Sequence, residues 1–179
     1  MVTELFIARS RYWLVQEYPI KLRQCIDALP DDAIWSRANE SSNSIGNLLV
    51  HLAGNVTEWI LGGVGGQSVE RYRAGEFEQR DGASGKDLLD NLLVVLRKAD
   101  EVLAGLGEQD LVRPLVIQAR ETTVLAAVYH VVEHFAMHTG QVVLLTKVHA
   151  PGSIRFYEDA GGLAEPQWHK GFDLTEPAH

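Results

Sequence analysis

The sequence contains very little cysteine and no long apolar run. Cys25 is the only cysteine among 179 residues, so no internal disulfide can form and a reducing compartment is expected. We interpret its thiol as a small buried hydrophobe and not as a nucleophile. No apolar run approaches the length that crosses a membrane, and Glu4, Arg9 and Arg11 interrupt the apolar core of a signal peptide. We therefore expect a cytoplasmic protein with no membrane partner.

Positive charge is also scarce. The chain has 16 Lys and Arg against 24 Asp and Glu, which gives a formal net charge of −8. Nucleic acids and anionic surfaces call for clustered Lys and Arg, so the composition argues against a nucleic-acid partner. The apolar share of 46% is ordinary for a globular protein. The length suffices for one domain with a sizeable core, and we predict a single domain over residues 1–179.

Strand patterns are almost absent, whereas apolar residues recur at helical spacing in four long segments. These spacings predict helices over Thr3–Leu29, from Ser44 to Leu61, over Lys86–Leu106 and over Thr122–Val148. Pro19 lies inside the first segment and predicts a kink or a split there. Four amphipathic helices without strands must bury their apolar stripes against one another, which predicts an all-α protein built as a four-helix bundle.

Two connecting stretches depart from a simple bundle. About two dozen residues, from Gly62 to Gly85, join the second and third helices, and loops of this length are often lids, crossovers or binding loops. The segment after Gly152 is rich in Gly and Pro but contains Phe156, Tyr157 and Trp168. We expect this C-terminal tail to dock on the bundle.

Three histidines form the main candidate site. His134 and His138 lie four residues apart, just over one helical turn, so both imidazoles point the same way. His51 lies in the second predicted helix. Two ligands from one helix and one from another leave a coordination position free, as in catalytic metal sites. The alternative is a set of core histidines that are satisfied by hydrogen bonds.

Polar residues surround these three histidines. Asn47, Asn55 and Glu58 share the region of His51. They are predicted to line the substrate pocket or to orient a ligand imidazole through its other ring nitrogen, with binding to water as the alternative. His130 lies one turn before His134, but its Cα is about 12 Å from that of His138. We therefore place His130 behind the ligands or on the wall of the cleft.

Three further residues complete the predicted site. Gln141 lies on the histidine side of the last helix and is predicted to contact a polar group of the substrate. Trp59 and Phe135 are predicted to form an apolar wall, with burial in the core as the alternative. No Ser-His-Asp or Cys-His order is evident, so no catalytic nucleophile is assigned.

The motif from His134 to Gln141, with His138 directly before Thr-Gly-Gln, resembles the closing motif of the DinB/YfiT-like superfamily. The stretch from Ser44 to Asn55 is similar to that family's second-helix segment. The resemblance covers most of the chain. It implies a four-helix bundle with one divalent ion held by His51, His134 and His138. Family members include thiol S-transferases, a thiol-dependent maleylpyruvate isomerase and proposed metal-dependent hydrolases, and dimers are frequent among them.

This sequence departs from the family pattern at two positions beside the motif. Met137 stands where many relatives carry another histidine, and Thr139 stands where Arg is frequent. Neither change removes a ligand, but both leave the substrate open.

The expected function is a metal-dependent enzyme, most similar to the thiol S-transferases. Imidazole ligands suit several transition metals, and zinc or nickel is expected, together with a low-molecular-weight thiol as a cofactor. The expected partners are a small-molecule substrate and a second copy in a homodimer. The alternatives are a metal-dependent hydrolase and a non-catalytic helical dimerisation or binding module.

Overall fold

The structure is a computed structural model that describes residues 2–167, and its core is helical. The first long segment runs through α1 (Val2–Tyr12), a π-helical turn (Trp13–Glu17) and α2 (Tyr18–Asp27). Pro19 lies in the first turn of α2, where its missing N–H costs little. The predicted irregularity is therefore the π-helical turn that directly precedes this proline.

The second segment carries the first metal-ligand candidate. After the short α3 (Asp31–Ile34), α4 spans Ile45–Val56 and continues into a π-helical stretch, Thr57–Val64. Ser44 caps α4, since its hydroxyl accepts from the Asn47 backbone N–H at 3.1 Å. The helical run ends three residues later than predicted.

The long connection is partly ordered as helix. It contains α5 (Arg73–Glu78) and leads into α6 (Gly85–Ala104). The hydroxyl of Ser84 caps α6 by accepting from the Asp87 backbone N–H. The predicted binding or lid stretch thus includes a helix that returns to α4.

The last part of the chain holds the longest helix and two hairpins. After α7 (Glu108–Leu111), strands β1 (Pro114–Ile117) and β2 (Arg120–Thr123) pair antiparallel. Helix α8 spans Val124–His149, and strands β3 (Tyr157–Ala160) and β4 (Leu163–Pro166) form a second antiparallel hairpin.

The expectation of almost no strand is wrong for these two hairpins, although the chain is mostly helical as predicted. Each strand has only four residues, too short for alternation to register as a pattern. The first turn uses Gln118 and Ala119 at positive φ, where glycine and asparagine are the usual signals.

The long helices pack side by side around a shared core. Helix α4 contacts α6 and α8, and α2 contacts the same two helices. Fully buried apolar side chains come from each segment: Leu22, Leu49, Leu92 and Phe135. Of the aromatic residues in the predicted tail, Phe156 is buried and Tyr157 is exposed, while Trp168 lies outside the described residues. Within residues 2–167, every helix falls short of the length and apolarity that a bilayer crossing needs.

Candidate metal centre

Three histidine side chains converge where α4 packs on α8. Nε2 of His134 lies 3.1 Å from Nε2 of His51 and 3.1 Å from Nε2 of His138. One ligand atom from each ring falls within 4.8 Å of the others. His51 and His138 are buried, and His134 is half-buried. Three residues from two helices, 83 positions apart in the chain, therefore meet as the sequence predicts.

The spacing of these nitrogens fits a single transition-metal ion. With tetrahedral angles and metal–nitrogen bonds of about 2.0–2.1 Å, ligand nitrogens lie about 3.3–3.4 Å apart. The two Nε2–Nε2 separations of 3.1 Å are close to this value. The three histidines thus lie close enough together to bind one metal ion.

Hydrogen bonds at Nδ1 orient the imidazoles of His51 and His138. Nδ1 of His51 lies 2.7 Å from the carboxylate of Glu76, and an ionised carboxylate only accepts, so this nitrogen donates. Nδ1 of His138 donates to the side-chain carbonyl of Gln141 at 2.7 Å. A neutral imidazole carries one proton. The Nε2 atoms of His51 and His138 therefore carry lone pairs, and both lie beside Nε2 of His134.

His134 is the third histidine of the cluster, and hydrogen bonds alone do not satisfy both nitrogens of its imidazole. Its Nδ1 is buried and has no hydrogen-bond partner, while its Nε2 faces the Nε2 lone pairs of His51 and His138. A single N–H on Nε2 can serve one of these neighbours at a time. A cation at the centre would satisfy all three nitrogens at once, which favours the metal interpretation over hydrogen-bonded core histidines.

The electrostatics of the site keep the imidazoles of His134 and His138 neutral. Burial, followed by the charges of His138 and His51, lowers the pKa of His134 to about 3. Burial also lowers the pKa of His138, although its bond to Gln141 opposes the shift. Since metal ligands must be unprotonated, the rings are held in the form that coordinates.

Glu76 is fixed by an arginine. The two carboxylate oxygens of Glu76 accept from Arg71 at 2.6 and 2.8 Å, a bidentate ion pair. Burial raises the pKa of Glu76, but the bonds from Arg71 and His51 outweigh it and the net pKa is lowered. Arg71 also donates to Glu58 at 2.6 Å, and Gln118 at the tip of the β1–β2 hairpin donates to the same Glu58 oxygen.

Gly54 makes room for this ion pair. A Cβ atom at Gly54 would overlap the carboxylate of Glu76 and lie 2.9 Å from Nε of Arg71. Gly54 follows His51 by three residues on α4, so its hydrogen side chain lets the carboxylate approach the back of the imidazole.

Asn47 and Asn55 take different positions from each other. The side chain of Asn47 bonds Ser44, Arg37 and the backbone carbonyls of Glu76 and Gln79. It therefore anchors the connection that carries Glu76. Asn55 is buried one turn after His51, and its Oδ1 has no hydrogen-bond partner.

The remaining predicted residues lie near one another but differ in environment. The rings of Trp59 and His130 are 4.2 Å apart, and those of His130 and His134 are 5.5 Å apart. Trp59 and His130 extend the site along the two helical segments that carry the histidines. Phe135 is fully buried and stacks on Tyr18, so it belongs to the core.

Sequence reasoning missed Glu76 and Arg71 as parts of the site. Both lie in the long connection that was expected to be a lid, a crossover or a binding loop, but no local pattern distinguishes them from other charged residues there. The one available signal was the pair of opposite charges five residues apart around an otherwise unassigned stretch.

The chain matches a known protein family over most of its length. A family model described as "Protein of unknown function (DUF1572)" matches residues 4–155, a span that includes all three histidines. No curated protein matches the chain.

Proposed function

The chain belongs to the DUF1572 family, whose description assigns no activity, and we propose that it is a divalent-metal enzyme. We place it in the DinB/YfiT-like superfamily, with the four long helical segments as its bundle. We propose further that it activates a low-molecular-weight thiol for transfer to a small electrophilic substrate. The supporting observation is the convergence of three Nε2 atoms, with the outer two rings oriented by Glu76 and Gln141.

The residues present fit the proposed ion. His51, His134 and His138 are neutral donors, so they leave the charge of a divalent ion unneutralised. A divalent ion held there supplies a Lewis acid that lowers the pKa of a coordinated thiol or water. Zinc or nickel suits three imidazoles.

The only thiol in the sequence, that of Cys25, is too buried to be the attacking group. Cys25 lies on α2 in the core, and burial raises the pKa of its thiol. No other cysteine is present. An attacking thiol must therefore come from a second substrate, and the resemblance to S-transferases favours a thiol over water as the attacking group.

The surrounding residues have separate roles in this proposal. Glu76 holds the ring of His51 in one orientation, and Arg71 holds Glu76. The unpartnered Oδ1 of Asn55 accepts a hydrogen bond from a polar group of the substrate. Trp59 and His130 form the wall beyond it.

The test is a paired assay on metal-loaded protein. Conjugation of a small electrophile is measured with a panel of low-molecular-weight thiols, and ester hydrolysis is measured in parallel. We expect thiol-dependent turnover that a chelator abolishes and that zinc or nickel restores. Metal-dependent ester cleavage without thiol turnover would contradict the transferase and support the hydrolase. Full metal loading without either activity would contradict both.

A further inference from the structure

Helix α8 carries large apolar side chains both on its buried side and on its exposed side. One side buries Val128, Val131 and Phe135 in the core. The opposite side, the α8 seam, is exposed and consists of six residues spaced three or four apart: Tyr129, Glu133, Ala136, Gly140, Leu144 and Lys147. Large apolar side chains on the outer side of a helix indicate a contact surface, and the described residues leave this seam uncovered.

Large apolar side chains on and beside the seam are strongly exposed. Tyr129 is 60% exposed and Leu144 is 62% exposed. Leu125, Met137 and Val148 flank them and are also exposed. Together these five side chains expose on the order of 500 Å², against roughly 800 Å² per partner in a standard interface. With the small residues between them, the seam is large enough for one specific protein contact.

Gly140 indicates that a second helix approaches α8 closely at this position. It lies in the middle of a 26-residue helix, where glycine costs about 1 kcal/mol relative to alanine. A Cβ atom at this position would meet no atom within 4 Å, so nothing within the described chain requires glycine. A second helix that crosses at Gly140 would require it, because a missing side chain allows the backbones to come close.

The charges of the seam indicate which partner fits. Glu133 and Lys147 are exposed and form no ion pair within residues 2–167. Each lies seven residues from Gly140, on opposite sides and with opposite charge. A two-fold axis at Gly140 that sets two α8 helices antiparallel brings Glu133 beside Lys147 of the partner subunit, twice. This pattern is self-complementary, as an isologous interface requires.

We propose that the α8 seam is the interface of a homodimer, in which two antiparallel α8 helices cross at Gly140. This inference names the surface for the second copy that the sequence predicts. It depends on the exposed side of α8 and not on the metal, so failure of the dimer and failure of the enzyme are separable.

The first test is the oligomeric state of the full-length protein, measured by light scattering and sedimentation equilibrium. We expect a dimer at micromolar concentration. The variants Glu133→Lys and Lys147→Glu each place like charges across the axis and raise the dimer dissociation constant about tenfold. The double variant restores the opposite-charge pairs and returns the constant towards that of the unmodified protein. Glu101→Lys, on the exposed side of α6, is the control and leaves the dimer unchanged.

The second test is a disulfide across the axis. In the variant Gly140→Cys, the two new thiols would face each other, and a disulfide forms when the Cα atoms are about 4.4–6.8 Å apart. Mild oxidation should yield a covalent dimer on a non-reducing gel, whereas Glu101→Cys should not. The native Cys25 is fully buried and does not react in either protein.

Two results would overturn the proposal. One is a monomer mass for the full-length protein at micromolar concentration. The other is a dimer that ignores both charge reversals and gives no cross-link through Gly140→Cys, since the interface would then lie elsewhere. Metal content is measured on every variant, because Glu133 is adjacent to His134, and only variants that retain the content of the unmodified protein are compared.

Discussion

Glu76 is the side chain that sets the orientation of His51. Its carboxylate accepts from Nδ1 of the imidazole at 2.7 Å and is itself held by Arg71. A carboxylate behind a ligand histidine fixes the tautomer and raises the basicity of the coordinating nitrogen. Glu76 would therefore act on a bound metal ion through His51, as a positioning residue.

Replacing Glu76 by Gln should weaken metal binding. The variant Glu76→Gln removes the negative charge and the ion pair with Arg71, and we expect the metal affinity to fall by about 10–100-fold. The measurement is competition with a chromophoric chelator. The control is Glu78→Gln on the same helix, whose exposed carboxylate meets the Tyr72 hydroxyl at 3.3 Å. Equal affinities for Glu76→Gln and the unmodified protein would exclude the positioning role.

At the scale of elements, the connection that contains α5 must pack tightly against α4. Gly54 is the point of closest approach, since a Cβ atom there would overlap Glu76. We predict that Gly54→Ala displaces the Arg71–Glu76 pair and lowers the metal affinity. It should also lower the free energy of unfolding by about 1–3 kcal/mol.

Urea unfolding of metal-free protein measures this effect. Gly105→Ala is the matched control, because its φ is −83° and its new Cβ atom makes only ordinary van der Waals contacts. The control should change the free energy of unfolding by less than about 0.5 kcal/mol. A Gly54→Ala variant that matches this control would show that the connection has room to shift.

The elements that the sequence predicts well are those with local signals. The starts predicted at Lys86 and Thr122 lie within two residues of Ser84 and Thr123, which cap α6 and α8 in the structure. The apolar stripes place the helical cores correctly, and His134 and His138 share a face because they are four residues apart on one helix. These features depend on residues within a turn or two of one another.

The features that sequence reasoning missed depend on distant contacts. Glu76 meets His51 across 25 residues of chain, through a connection whose path no local pattern encodes. Asn47 was predicted to lie in the substrate pocket or behind the ligands, and its contacts instead anchor that connection. The β1–β2 hairpin turns at Gln118 and Ala119, which carry no usual turn signal, and its tip is the source of the bond to Glu58.

At the scale of the whole molecule, the buried histidines couple stability to pH. The pKa of His134 is lowered to about 3, and those of His138 and His130 are also lowered. As pH falls below about 6.5, the unfolded chain takes up protons on these imidazoles before the folded protein does. The free energy of unfolding is therefore at its full value above about pH 6.5, and it decreases as the pH falls towards 3.

We predict that metal-free protein has a lower free energy of unfolding at about pH 5.5 than at about pH 7.5. Urea titration at both values measures the difference. His134→Gln removes one titrating group and should reduce the loss, whereas His149→Gln, at the end of α8, should retain it. A free energy of unfolding that stays level or rises on acidification would contradict the assigned neutral state of the cluster.

The most direct measurement of the central claim is the metal content of untagged full-length protein after loading with zinc or nickel and removal of excess ion. The account predicts one ion per chain by elemental analysis. It also predicts loss of that ion in His134→Ala and retention in His130→Ala, whose ring lies beside the cluster without joining it. A protein that holds no ion, or a His134→Ala variant that keeps one ion per chain, would contradict it.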